Sequence, residues 1–301
     1  MPKLIVGTRG SKLALWQTNW VVGQLGARYP EIELVIETIA TKGDARAETP
    51  LPQIGARGVF TCEIEAALLA GQIDLAVHSL KDLPIEVPRG LLLGAILERA
   101  DARDVLVSRL HLGLDQLPKN ARVGTSSPRR AAQLRAHRPD LQIANLRGNV
   151  DTRLRKAETG EYDAIILAAA GVLRLGQTRR ITEFLSLDLM LPAPGQGALA
   201  AQARADDAVT LELLKPLDHA PTRAATTAER AFLRALGGGC AVPIAAYGGV
   251  IGSTLHLRGL VASMDGTRIS RGEASGDMSE AQPLGERLAL ALKTETLNLK
   301  L

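Results

Sequence analysis

Arginines recur where apolar runs of the chain end. Arg9 lies in GTRGS, Arg129 and Arg130 follow GTSSP, Arg147 stands in NLRGN, Arg153 comes on the helix after it, and Arg174 closes AAAGVLR. A guanidinium is a planar, permanently charged fork that takes a carboxylate or phosphate through two parallel hydrogen bonds. The set therefore suits a ligand with several anionic groups. GTSSPRR is the sharpest segment. Ser127 can cap a helix, Pro128 suits its first position, and the free N–H groups there sit at the positive end of the helix dipole. Ordinary capping with a solvated arginine face explains one such segment equally well, but not the recurrence. The GxxxxGK[ST] pattern of a nucleotide-binding loop is absent.

HSLKDLP places Lys81 and Asp82 side by side directly after an apolar strand, and Pro84 blocks continuation. An isolated Lys–Asp pair is usually a surface ion pair of little worth. Among so many arginines, however, an aspartate is held ionised. It can stabilise a cation formed during reaction or accept N–H groups of a ligand. His78 reads as a strand histidine packed in the core. No HxH, HExxH or paired-carboxylate spacing marks a metal site.

The chain has 2 cysteines, too few for a disulfide scaffold or a cysteine-built zinc site. Cys62, in FTCEIEAALLAG, reads as a small buried hydrophobe. Cys240, in GGGCAVPI, follows three glycines on backbone that can bend almost any way, which fits a presented nucleophile better than a packed core residue.

Positioning these groups requires strand ends. LIVGT (4–8) reads as a buried strand, with Ser11 capping a helix from Lys12; ELVIETIA (33–40) is a second strand, and a long Gly/Pro-rich charged loop follows it. A helix over 60–70 and the strand DLAVHSL (74–80) complete the alternation. ERADARD (98–104) is a charged break. Beyond it VLVS, ARVGT, QIANL and DAIILA read as strands interleaved with helices, up to a second break at LPAPGQGALA (191–200). One more strand and helix lead to a long helix at 222–236 and then short strands, an α+β pattern. The alternation predicts an α/β protein with mixed sheets. In such sheets ligands bind beyond the carboxyl ends of the strands, where the arginines fall.

With 301 residues, 46% hydrophobic and 23% charged, the chain suits a globular protein of two or three domains. A net charge of +4 favours an anionic small molecule without demanding nucleic acid, and the 3% of aromatics are poor material for stacking bases. The N-terminus turns polar after one short apolar run, and no later stretch is long enough to span a bilayer. The expectation is a cytoplasmic protein without leader, metal, membrane or nucleic-acid partner.

Taken in order, GTRGSKLALWQ, ARGVF, AVHSLKDLP, VGTSSPRRAAQL, LRGNVDTRL, EYDAIILAAAGVLRLG, LPAPGQGAL and TAERAFLRALGGGCAVPI resemble the porphobilinogen deaminase (hydroxymethylbilane synthase) family across nearly the whole chain. The resemblance implies two domains like type II periplasmic binding proteins with a cleft between them, plus a smaller α+β domain. The boundaries are 1–98 with 197–217, 99–196 and 218–301. It implies a covalent dipyrromethane cofactor, held by thioether to Cys240. Four porphobilinogen units are added to it with loss of ammonia, and hydroxymethylbilane is released. Asp82 corresponds to the catalytic aspartate that stabilises the azafulvene cation. Arg9, Ser11, Ser79, Lys81, Thr125, Ser126, Ser127, Arg129, Arg130, Arg147, Gly148, Arg153, Arg174 and Gln196 correspond to cofactor- and substrate-binding positions, with Gln196 lining the cleft. Arg57 and Phe60 fall on the lid loop. A monomer is implied, with product passing to uroporphyrinogen-III synthase. Pro128 departs from a more usual leucine. A non-catalytic anion binder would leave Cys240 and Asp82 without a role, and an RNA-binding protein would need stacking aromatics, in which the chain is poor.

Overall fold

The computed structural model describes residues 3–41, 43, 61–237 and 243–296. Arg57, Phe60 and Cys240, singled out in the sequence, lie outside them. In chain order run β1 (Lys3–Thr8), α1 (Lys12–Arg28), β2 (Glu33–Thr38), α2 (Cys62–Leu69), β3 (Leu75–Ser79) and β4 (Leu91–Ile96). Then come β5 (Asp104–Ser108), β6 (Arg122–Gly124), α3 (Pro128–His137), β7 (Gln142–Ala144), α4 (Val150–Glu158), β8 (Ala164–Ala168), α5 (Ala169–Arg174) and β9 (Glu183–Phe184). β10 (Leu199–Arg204), α6 (Ala208–Leu214), α7 (Ala220–Ala235), β11 (Ile244–Ile251), β12 (Thr254–Ala262), β13 (Ile269–Asp277) and α8 (Ala281–Thr296) follow. They form two compact units, Met1–Ala100 with Ala198–Arg223, and Asp101–Gly197 with Ala224–Leu301.

The first unit is a five-stranded sheet in the order β2-β1-β3-β10-β4. β1 runs parallel to β2 and β3, while β10 runs antiparallel to β3 and β4. Side chains alternate across the strands, so each strand feeds two cores. Leu4, Val6, Leu75 and Val77 pack with Val21 and Leu25 of α1. Ala76, between Leu75 and Val77, belongs to the opposite layer with Ile64 and Leu68 of α2. Cys62, read from sequence as buried, is instead exposed. α2 turns Ile64, Glu65, Ala67 and Leu68 inward, and its first residue lies off that face.

The second unit repeats the plan. Its five-stranded sheet has the order β7-β6-β8-β5-β9, with β6 parallel to β7 and β8, and β5 antiparallel to β8 and β9. The same unit carries an antiparallel meander, β11-β12-β13. Phe232 of α7 and Leu284, Leu288 and Leu292 of α8 pack with Leu255 and Leu257 of β12 in one core. On the other face Leu260 and Ala262 meet Ala132 of α3 and Leu191. α7 and α8 approach so closely that a Cβ on Gly285 would lie 2.9 Å from the Cβ of Ala231, tighter than side chains pack. The architecture is α/β with two mixed sheets and a smaller α+β part, as the resemblance implied. β4, a short continuous apolar run, has no counterpart in the sequence reading.

Candidate active site

In the first unit, β1 and β3 are parallel neighbours, with Val6 opposite Leu75 and Gly7 opposite Ala76. Their carboxyl ends therefore emerge side by side. Arg9 follows one end; Ser79 closes the other and leads into a 3₁₀ turn, Leu80–Asp82. Leu80 and Leu83 are buried with Ile96 and Ala198 and anchor that turn, while the Asp82 side chain is exposed. Among the described residues no hydrogen bond or ion pair ties up its carboxylate. Ser11 caps α1, its Oγ accepting from the Ala14 N–H at 3.2 Å. The buried Gln17, which the sequence reading passed over, donates from Nε2 to Ser79 Oγ at 2.8 Å and accepts back on Oε1 at 3.2 Å. This fastens α1 to the end of β3 and occupies the Ser79 hydroxyl.

His78, one residue before Ser79, is buried as expected. Burial pushes its pKa down to about 4; the Gln202 side chain pulls the other way, and the charge of Arg9 adds to the fall. Behind it Gln202 Nε2 donates to Glu65 Oε1 at 3.2 Å, and burial raises the Glu65 carboxyl despite that bond and one from Thr61. A histidine with a folded pKa below its unfolded value binds its proton first in the unfolded chain. Its neutral burial is fully stabilising above the unfolded value and is lost as pH falls from 6.5 toward 4. Glu65, raised on folding, acts in the opposite sense. In urea titrations at stepped pH, wild type minus His78→Gln should therefore lose up to roughly 3 kcal/mol across that window, because one pKa unit is about 1.4 kcal/mol. Parallel acid profiles would show that His78 is not the titrating group.

In the second unit, the carboxyl ends of the parallel strands β6, β7 and β8 again gather the predicted residues. The Thr125 N–H donates to the Ala144 carbonyl at 2.8 Å. Ser126 Oγ accepts from Leu146 N–H and donates to Leu146 O, both at 2.9 Å, lacing GTSSP to NLRGN. Ser127 caps α3 and Pro128 stands in its first turn. Gly148 adopts φ +109°, a left-handed conformation that favours glycine, and its carbonyl accepts from Arg153 Nε at 2.7 Å. Arg147 is half-buried, and among the described residues nothing ties up its guanidinium. Arg174 donates from Nη2 to the Gly197 carbonyl at 2.8 Å, and burial pushes it down to about 10.

Arg129 and Arg130 are not on a solvated face. They are 5% and 6% exposed, and both reach Asp104, which is wholly buried. Arg129 Nη1 donates to Asp104 Oδ2 at 2.8 Å and to the Leu191 carbonyl at 2.7 Å. Arg130 Nη2 donates to Asp104 Oδ1 at 2.7 Å, and its Nη1 to the Ile166 carbonyl at 3.1 Å. Burial alone would raise the Asp104 carboxyl, but the two guanidinium charges hold it well below the carboxylate range. Burial pulls Arg129 down while Asp104 holds it up. Gln196, expected to line a cleft, is fully buried; its Nε2 donates to Asp104 Oδ1 and to the Ala102 carbonyl, both at 2.8 Å. The reason is Asp104 itself, whose remaining acceptor capacity needs a neutral donor. The sequence reading took Asp104 as part of a charged break. Its position at the head of the apolar run VLVS is the signal that was there to use. Glu229 of α7 was also missed: its carboxylate, buried, accepts the N–H groups of Gly195 at 2.6 Å and Gly248 at 2.7 Å.

Among the described residues, no group of His, Cys, Asp and Glu side chains could hold a metal ion. The donor sets in each unit are cationic and rich in N–H and O–H, suited to carboxylates. The buried Arg130 Nε has no hydrogen-bond partner among the described residues, which fits an acceptor brought by a carboxylate-bearing group. The family model described as the porphobilinogen deaminase dipyromethane cofactor binding domain matches residues 4–212, and the one for the porphobilinogen deaminase C-terminal domain matches 224–294. A porphobilinogen deaminase of Desulforudis audaxviator is 52% identical over 96% of this chain and 94% of its own length. One of Deinococcus radiodurans is 50% identical over 96% and 94%. Among solved structures, the BenM effector binding domain is 13% identical, with a TM-score of 0.42 over 72% of this chain and 90% of that one. So faint a likeness decides nothing about the fold, which rests on the sheets described above. On the two family models and on half-identity over nearly the full length, the chain belongs to the porphobilinogen deaminase family.

Proposed function

We propose that this chain condenses four porphobilinogen units, one at a time and with loss of ammonia, onto a dipyrromethane joined by thioether to Cys240, and releases hydroxymethylbilane. The observation that carries the reading is the exposed Asp82 carboxylate at the end of β3, with Lys81 beside it in the chain and Arg9 at the adjoining strand end. A dipyrromethane, when bound, supplies the pyrrole α-carbon that each new unit joins.

Asp82 stabilises the positive charge that develops on the substrate as ammonia leaves, and accepts pyrrole N–H groups, which suits a carboxylate that no described residue engages. Arg9, Lys81, Arg147, Arg153 and Arg174 bind acetate and propionate groups, as do those N–H groups of Arg129 and Arg130 that Asp104 does not take. The hydroxyls of Ser11, Thr125 and Ser127 and the backbone N–H of Gly148 add neutral donors. Ser79, Ser126 and Gln196 act by holding the frame, since their polar atoms are engaged within it.

The separate core of α7, α8 and β11–β13 supports a three-domain division at 1–98 with 197–217, 99–196 and 218–301. No described helix is long and apolar enough to cross a membrane. We take the enzyme to be cytoplasmic and monomeric, to work on a small molecule, and to pass its product to uroporphyrinogen-III synthase.

The intact mass of the purified protein tests the reading. It should exceed the polypeptide mass by one dipyrromethane, or come to do so when porphobilinogen is added to the apo form. A mass that stays at the bare polypeptide after that addition would leave an anion-binding protein.

A further inference from the structure

In the second unit two guanidinium groups, on residues 5% and 6% exposed, share one wholly buried carboxylate. Two positive charges against one negative leave a single positive charge. Asp104 brings only one negative charge to the two: Oδ1 takes Arg130 Nη2 at 2.7 Å and Gln196 Nε2 at 2.8 Å, and Oδ2 takes Arg129 Nη1 at 2.8 Å. The carbonyls of Leu191 and Ile166 take the other bonds of the Nη1 atoms. Arg130 Nε, on a residue 6% exposed, carries a buried proton with no acceptor among the described residues. Uncompensated charge and an unpaired donor are both unfavourable in the interior, and both are relieved by one carboxylate arriving from outside.

We propose that Asp104 is a positioning residue for ligand carboxylates: it fixes Arg129 and Arg130 in one orientation and caps their joint charge at one. This rests on the polymerisation proposed above. A chain of carboxylate-bearing rings that lengthens with each addition has to be held and also shifted past its binding groups. A doubly charged pair would hold each carboxylate more tightly than a singly charged one. Asp104 competes with the ligand for the same two guanidinium groups, so it weakens the grip while it aligns the grippers.

A purely structural Asp104 would stabilise the loaded and unloaded protein alike, and this separates the two roles. Melting temperatures are compared for the apo protein and the dipyrromethane-loaded protein, with loading checked by intact mass. In Asp104→Asn the apo form should fall further than the loaded form, because cofactor carboxylates then replace the missing charge. The gap between the two should widen by at least about 4 °C relative to wild type, a readable shift for a chain of this size. An Asn variant that folds only when loaded is the extreme of the same result. Arg130→Gln keeps the Asp104–Arg129 pair and leaves no net charge, so its gap should shrink below that of wild type. Parallel shifts of apo and loaded Asp104→Asn would overturn the proposal. If that variant does not fold in either form, a wild-type gap in Arg130→Gln would do the same. A wild-type protein that never loads would instead remove the polymerisation itself.

Discussion

Asp82→Asn should leave the cofactor attached and lower kcat by about 10²–10³, the usual consequence of removing one preorganised group aimed at developing charge. The substitution keeps the size of the side chain and removes only its charge. Among the described residues no hydrogen bond or ion pair depends on that charge. The 3₁₀ turn is held by the Leu83 N–H donating to Leu80 O at 3.2 Å and the Leu80 N–H donating to Ala198 O at 3.0 Å, with both leucines buried. The melting temperature should therefore stay within a degree or two of wild type, because an exposed substitution away from such anchors rarely moves stability by more than about 0.5 kcal/mol. The split is the test. A large fall in kcat with an unchanged melting curve and an unchanged intact mass assigns Asp82 to the reaction. Wild-type turnover in pre-loaded Asp82→Asn would remove it from the mechanism.

Strand ends and caps were legible in the sequence because their determinants are local. LIVGT and DLAVHSL are apolar runs of strand length, and Ser11 and Ser127 precede helical patterns at the cap position. Each forms the element expected of it. The presence of cationic groups at the ends of parallel strands followed from those elements alone. Which donors remain available did not, because that depends on partners distant in the chain. Asp104 meets Arg129 and Arg130 across 25 and 26 residues, and Gln196 reaches back 92 to the same carboxylate. The apolar run VLVS places Asp104 at the head of a strand, but it does not say that β8 and β9 will flank that strand on both sides. Gln17 and Ser79 are likewise 62 apart. β4 escaped notice for the opposite reason: LLLGAI is short and continuously apolar, a pattern in which strand and buried helix look alike. Periodicity thus reported where chemistry can sit. Only the folded partners show which side chains are left to perform it.

Cys240→Ser should stay at the bare polypeptide mass after incubation with porphobilinogen and show no turnover. A thiol ionises near pH 8.5, so some thiolate is always present at neutral pH, whereas a serine hydroxyl has no such reserve and needs an adjacent base to attack carbon. The exchange of sulfur for oxygen changes little in volume, so secondary structure and the α7–α8 core should persist and leave the covalent step as the only loss. The exposed Cys62 makes a control necessary. Loss of ammonia from porphobilinogen leaves an electrophilic carbon, and an exposed thiol can trap such a carbon by accident. Cys62→Ser should load to the same mass as wild type and turn over at the same rate, because α2 directs that residue away from the inward-facing Ile64 and Leu68. The pair of variants therefore locates the attachment. If Cys240→Ser gains the cofactor mass and Cys62→Ser does not, the glycine-flanked thiol is not the anchor, and the attachment passes to the head of α2.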